Sequence, residues 1–303
     1  MKSARSRTSI KIGTRIAIIL LILVFVMELL ARSVLDFPLY SADSSVGYWI
    51  DPDQSGSFLF KNDWAFNDKS MGVANKFVET KNFDLLLVGD SVVLGGNPIR
   101  QNDKLGPILS RNTGWSVWPI SAGSWAMQNE LAFLDRNSSI LSHIDAIVFV
   151  FNSGDFGKPS SWSSEMTHPR SYPRSYLWYL FRKYFFRSNE APTKQYRVAP
   201  RDVLQMWNNF NLDSKVPVIS IGYPALDELN EDCNWIPLDF KKAGHWFCYD
   251  DSEQHFAGDY RDGIHPSKSG DEKLAKFLQA VIQKSMQGGS TKSGHNTQSG
   301  RQL

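Results

Sequence analysis

The stretch Phe83-Asp84-Leu85-Leu86-Leu87-Val88-Gly89-Asp90-Ser91-Val92-Val93-Leu94-Gly95 decides the fold. Its first six residues are apolar apart from Asp84, the pattern of a strand buried on both faces of a parallel sheet, and the run stops at Gly89. Working outward, three more short apolar runs stand at 115–120, 144–151 and 216–221, each separated from the last by enough chain for a crossover helix. Such alternation predicts an α/β three-layer sandwich, doubly wound around a parallel sheet. Helices are expected over 130–141 and over 201–210 with Pro200 in the first turn. A further helix is expected from 269, where Ser269 and Glu272 have capping-box spacing and Leu274, Phe277, Leu278 and Val281 recur at helical intervals.

On either side of this core the composition changes. Lys2, Arg5, Arg7, Lys11 and Arg15 form a basic head over 1–15, and 16–35 is an apolar segment interrupted by Glu28 and Arg32. Basic residues before an apolar run place the N-terminus in the cytoplasm and the remainder across the membrane. A cleaved signal peptide shares this pattern, and Ala31 and Ser33 form a small-x-small pair, but charges crowding that position favour an uncleaved anchor. Either way the body is extracytoplasmic. Residues 36–80, rich in Ser, Asp, Gly and aromatics without periodicity, read as a stalk and irregular lead-in to a domain over 81–286. Within that domain, 157–198 is an aromatic-rich insertion whose Trp162, His168, Trp178 and Tyr179 either meet substrate over the crevice or pack the insertion, packing being the commoner fate of crowded aromatics. The tail over 287–303 has little to bury and is expected to be disordered.

The net charge of +2 conceals a slightly acidic body, because the five basic residues of the head exceed it. With no basic stripe there is little electrostatic support for nucleic-acid binding. Cys233 and Cys248, the two cysteines, are either a disulfide in an oxidising compartment or two buried thiols; their spacing is not that of a metal site.

Ser91 follows the first core strand directly, at a strand-to-helix turn where a hydroxyl faces the crevice and the following helix offers N–H groups to a developing oxyanion. By itself, Asp90-Ser91 is also an ordinary turn or capping pair. Near the other end of the domain stands Asp262-Gly263-Ile264-His265-Pro266-Ser267, just before the last helix. A carboxylate three residues ahead of an imidazole can orient the ring and stabilise its protonated form while the ring accepts a serine proton. Together the two segments point to nucleophilic acyl transfer through Ser91, His265 and Asp262.

These residues resemble the SGNH, or GDSL, hydrolases, whose hallmarks are Gly-Asp-Ser after the first strand and Asp-x-x-His-Pro before the last helix. The resemblance spans about 83–284. It implies a flavodoxin-like sandwich that works without metal or cofactor, with an oxyanion hole built from the N–H groups of Ser91 and Gly123 and the side chain of Asn152. Gly123 also reads as a plain turn glycine. The third motif departs from the family's Gly-x-Asn-Asp, because the chain has Phe151-Asn152-Ser153-Gly154-Asp155 and strict alignment would put Gly154 at the donor's place. An anchored, outward-facing member resembles those that add or remove acetyl groups on bacterial cell-surface or secreted polysaccharides, which implies polysaccharide-assembly proteins as partners. Two alternatives stay open: a lipase or thioesterase at the membrane surface, with an apolar groove near Leu94, and a non-catalytic scaffold of a polysaccharide synthesis or export assembly.

Overall fold

The computed structural model describes residues 2–186, 191–229, 232–249 and 257–290. The chain enters through α1 (Lys2–Val34). Among the described residues, its stretch Gly13–Val34 is the one helical segment long and apolar enough to cross a membrane by length and composition.

The lead-in is not an irregular stalk. Two antiparallel hairpins occupy it, β1 (Tyr40–Asp43) with β2 (Gly47–Ile50) and β3 (Gln54–Phe58) with β4 (Asn62–Phe66). The missing periodicity has a physical reason: strands of four or five residues are too short to establish one. Val46 and Tyr48 are buried in the main core, and Ile50, Trp64 and Phe66 in a cluster of their own.

The core sheet begins at β5 (Asp84–Gly89), followed by a single turn of helix, α2 (Ser91–Leu94), and by α3 (Leu105–Thr113) and β6 (Ser116–Ser121). Next come α4 (Met127–Arg136), β7 (Ala146–Phe151), α5 (Tyr176–Phe185) and α6 (Val203–Asp213). The chain closes through β8 (Val218–Gly222), α7 (Leu238–Lys242), β9 (Trp246–Cys248) and α8 (Lys268–Ser290). All five strands run parallel in the order β6-β5-β7-β8-β9, which is the α/β sandwich expected, with β9 as an edge strand that the sequence did not announce.

Alternate residues of each strand serve opposite layers. Leu85, Leu87, Val148, Val150, Ile219 and Ile221 pack with Ile108 and Leu109 of α3 and Leu274, Leu278 and Ile282 of α8. Leu86, Val88, Ile147, Phe149 and Phe151 pack in the other layer with Leu131 and Leu134 of α4 and Trp207 of α6. Burial on both faces explains why β5 reads as a continuous apolar run.

Several boundaries differ from expectation. The helix expected over 130–141 ends at Arg136 and gives way to a 3₁₀ turn at Ser138–His143. Asp202, accepting from the Gln205 N–H, caps α6, so Pro200 lies outside the helix. The cap of α8 is Ser267, whose Oγ accepts from Gly270 N–H at 3.3 Å, because Ser269 is inside the helix and donates to Asp259. Residues 287–290 of the tail continue α8, and 291–303 lie outside the described residues. Cys233 and Cys248 form a disulfide with Cα atoms 5.9 Å apart.

Candidate active site

Sheet register places the candidate residues. Gly89 of β5 pairs with Ser121 of β6 on one side and with Val150 of β7 on the other. Ser91, Gly123 and Asn152 therefore each stand two residues beyond the same row, at the carboxyl ends of three neighbouring strands. The central strand carries the serine. Neighbouring strands lie about 4.8 Å apart, so the register brings the three together whatever their separation in sequence. Gly154, the residue strict motif alignment favoured, falls two positions further on, inside the 3₁₀ turn Ser153–Phe156.

The glycine before Asp90 is required for close approach, not for an unusual φ. A Cβ on Gly89 would lie 2.5 Å from Val93 Cγ2 and 3.0 Å from the Val150 carbonyl oxygen, so only glycine lets α2 fold back on the strand end. The helix expected behind the serine is present but is a single turn. Asp90 Oδ1 accepts from Val92 N–H at 2.8 Å, and Gly95 at φ +71° closes the turn after four residues. A single turn has little macrodipole, so what it offers an anion is individual N–H groups rather than a helix dipole.

Ser91 is half-buried, and its Oγ donates to Asp90 Oδ2 at 3.2 Å, with no hydrogen bond to His265. Asn152 Nδ2 donates to the same Asp90 oxygen at 3.0 Å, and Asn152 Oδ1 accepts from Gly154 N–H. An amide nitrogen has two protons, so Asn152 retains one for a ligand. Asp155 is structural: its Oδ2 accepts from Asn152 N–H at 2.6 Å. Gly123 faces open space, with no atom within 4 Å of the point where a Cβ would stand. Its N–H donates no hydrogen bond among the described residues, while its carbonyl accepts from Tyr48 Oη at 2.6 Å.

Beneath this rim lie three buried carboxyls, Asp90, Glu130 and Asp155. Burial raises all three above the usual carboxylate range; at Glu130 and Asp155 repulsion from Asp90 adds to it, whereas at Asp90 hydrogen bonds from Val92, Asn152 and Ser91 oppose it. Neither oxygen of Glu130 has a hydrogen-bond partner. Charge at such a position is very costly, so burial favours the neutral form of Glu130 and Asp155.

The second segment reaches this rim from α8. His265 Nδ1 lies 2.9 Å from Asp262 Oδ2, and Asp262 Oδ1 accepts from the N–H groups of Ile264 and His265. Partial burial pushes the Asp262 carboxyl up, but these two N–H groups and the His265 ring outweigh it and hold the group at about 2. It stays a carboxylate at any ordinary assay pH. The turn is anchored on both sides: Arg261 Nη2 donates to the Gly95 carbonyl at 3.0 Å, and Leu226 N–H donates to the Gly263 carbonyl at 2.8 Å. Gly95 closes the turn after β5 and Leu226 follows β8, so the Asp262–His265 pair sits over the carboxyl edge of the sheet, the edge that carries Ser91 and Asn152.

The chain is similar to G-D-S-L lipolytic proteins and carbohydrate esterases. A member of the lipolytic protein G-D-S-L family from Veillonella parvula shows 10% identity over 66% of this chain and 98% of that one, with a TM-score of 0.36. An acetyl xylan esterase from Butyrivibrio proteoclasticus shows 11% identity over 70% of this chain and 66% of that one, with a TM-score of 0.42. A family two carbohydrate esterase from Clostridium thermocellum shows 11% identity over 70% and 67%, with a TM-score of 0.38. No protein-family model and no curated protein matches the sequence.

Of the insertion aromatics, Trp162 is buried with its Nε1 on the His168 carbonyl, Tyr179 is buried against Phe37, and His168 stacks on Tyr48 at 3.8 Å, while Trp178 is exposed. Packing accounts for three of the four. Sequence reasoning missed Tyr48, Glu130 and Arg261. For Arg261 the signal was adjacency to Asp262; Tyr48 and Glu130 carried none, because their roles arise only from long-range packing.

Proposed function

We propose that the chain is a serine esterase or O-acyltransferase acting on acyl esters, acetyl foremost, of an extracytoplasmic polysaccharide. Ser91 is the nucleophile, His265 the general base and Asp262 the carboxylate that orients it. The observation supporting this reading is the shared level of Ser91, Gly123 and Asn152 beyond the sheet, with the Asp262–His265 turn tied to the same edge through Arg261 and Gly95. Rotation about χ1 turns the Ser91 hydroxyl from Asp90 towards the imidazole. Its oxygen then attacks the ester carbonyl as its proton passes to His265, and the carbonyl oxygen takes up negative charge facing the Gly123 N–H and the remaining Asn152 amide proton. Collapse expels the alcohol, which takes the proton from His265 and leaves an acyl-Ser91 ester. Water resolves it in hydrolysis, a sugar hydroxyl in transfer; in each case His265 removes the proton of the incoming group and returns it to the Ser91 oxygen as the acyl–oxygen bond breaks.

Turnover of an acetyl ester by the full-length protein, set against Ser91→Ala, tests the reading. Loss of roughly three or more orders of magnitude is expected. Equal activity in Ser91→Ala ends the triad proposal, and no activity in either protein favours the scaffold. A second reading, a lipase or thioesterase, is favoured by one observation: a cavity of about 300 Å³ lined by Leu35, Phe37, Phe58, Pro98, Tyr179 and Leu180, close to the turn that follows Leu94. Preference for long-chain over acetyl esters would select it.

A further inference from the structure

We propose that α5 is an interfacial helix that lies in the headgroup layer of a lipid bilayer and fixes the domain's attitude to the membrane. This rests on the reading of α1 as an uncleaved anchor, and not on the ester chemistry. α5 has two apolar faces. The inner one, with Tyr176 and Tyr179, packs on Phe37 and is buried. The outer one carries Trp178, Phe181 and Phe185, at helical spacing, with Tyr184 and Phe186 beside them. All five are between 43% and 75% exposed. Phe181 contacts Trp178, Phe185 and Phe186 at ring-centroid distances of 5.2–5.5 Å, so the patch is continuous. Monomeric soluble proteins rarely leave such a patch open to water.

The occupant is identified by what α5 is joined to. Glu28, inside the apolar stretch of α1, accepts hydrogen bonds from Ser175 Oγ and from the N–H groups of Tyr176 and Leu177 at 2.8–3.0 Å, and pairs with Arg32 at 3.0 Å. Arg32 also bonds the Arg174 carbonyl and covers the Tyr176 ring at 5.2 Å. The start of α5 is thus fixed about 9 Å, six residues at 1.5 Å each, before the end of α1. Where α1 crosses a bilayer, that level is the interface, the layer in which Trp and Tyr are enriched. α5 itself has the outward aromatic composition of helices lying there, Trp178, Phe181, Tyr184 and Phe185 facing away from the domain. The same contacts explain how a charged Glu28 is tolerated within the apolar segment, and cleavage after Ala31 or Ser33 would remove both the Glu28 cap and, with it, the ion pair.

The test is nitroxide accessibility in the full chain, reconstituted in vesicles of phosphatidylcholine and phosphatidylglycerol. Tyr184→Cys and Phe185→Cys are labelled separately, the native cysteines being paired. Leu212→Cys, at a position 83% exposed on α6, serves as the aqueous reference and Leu23→Cys, in α1, as the bilayer reference. At 184 and 185 the ratio of collision rates with oxygen to those with a water-soluble nickel chelate should be several-fold above that at 212. A ratio equal to that at 212, while 23 reports lipid, overturns the interfacial helix and leaves the anchor. Shielding from both reagents also overturns it, because protein then covers the patch. If 23 reports water, the anchor reading and this proposal fall together.

Discussion

Arg261 Nη2 donates to the Gly95 carbonyl at 3.0 Å, joining positions 166 residues apart and locking the turn that carries Asp262 and His265 to the turn that begins at Ser91. Arg261 Nε also donates to the Pro266 carbonyl, so one guanidinium shapes the histidine turn and docks it. Arg261→Ala should therefore lower kcat/KM for an acetyl ester roughly tenfold, about 1.4 kcal/mol, mostly in kcat, with little shift of the unfolding midpoint. Steady-state kinetics beside thermal unfolding check it; a loss confined to stability would show that Arg261 positions nothing.

Gly89 and Gly123 should behave in opposite ways. A methyl group at Gly89 meets Val93 at 2.5 Å, so Gly89→Ala is expected to cost about 1–3 kcal/mol by overpacking, read from denaturant unfolding. At Gly123 nothing stands within 4 Å, so Gly123→Ala should unfold within about 0.5 kcal/mol of the parent. Its ester turnover should nonetheless fall, because the methyl group occupies space that substrate needs at the candidate oxyanion donor. Undiminished turnover in Gly123→Ala would remove Gly123 from the site.

His168 gives a pH signature. Burial, with Lys183 adding repulsion, pushes its imidazole down to about 4, and its Nδ1 is buried without a partner. The unfolded chain binds the proton near 6.5 and the folded chain does not, so the contribution to stability is complete above that pH and is lost as pH falls towards about 4. His168→Phe retains the stack on Tyr48 and should flatten that part of the decline. Superimposable curves of unfolding midpoint against pH for the two proteins would refute it.

The disulfide closes a loop with a sequence separation of 15. Loop entropy assigns such a bridge about 3 kcal/mol. Replacing both cysteines, Cys233→Ala with Cys248→Ala, should lower the urea midpoint accordingly without moving Ser91, since the bridge joins the segment after β8 to edge strand β9. Full ester activity in the folded double variant is the expected companion result.

The parallel sheet was legible because β5, β6, β7 and β8 are buried on both faces, and burial on both faces writes itself as unbroken apolar runs. The Ser91 turn and the Asp262–His265 turn were legible because each is a local arrangement, the first a strand end followed by a cap, the second a carboxylate bonded to N–H groups two and three residues on. The hairpins of the lead-in were not, since four-residue strands such as Tyr40–Asp43 carry no period and gain their burial from distant partners. The aromatic crowding of 157–198 was visible, but its division into buried Trp162 and Tyr179 and exposed Trp178 was not.

By itself, the sequence determined the α/β class, the apolar N-terminal segment and the two turns that carry the candidate catalytic residues, because each depends on periodicity or spacing within a few residues. Tertiary structure alone decided that Asn152 and not Gly154 stands level with Ser91, that Arg261 holds the histidine turn in place, and that Glu28 caps α5. Those outcomes are set by strand register and by hydrogen bonds across more than sixty positions of chain, distances over which side-chain identity constrains nothing until the backbone has folded.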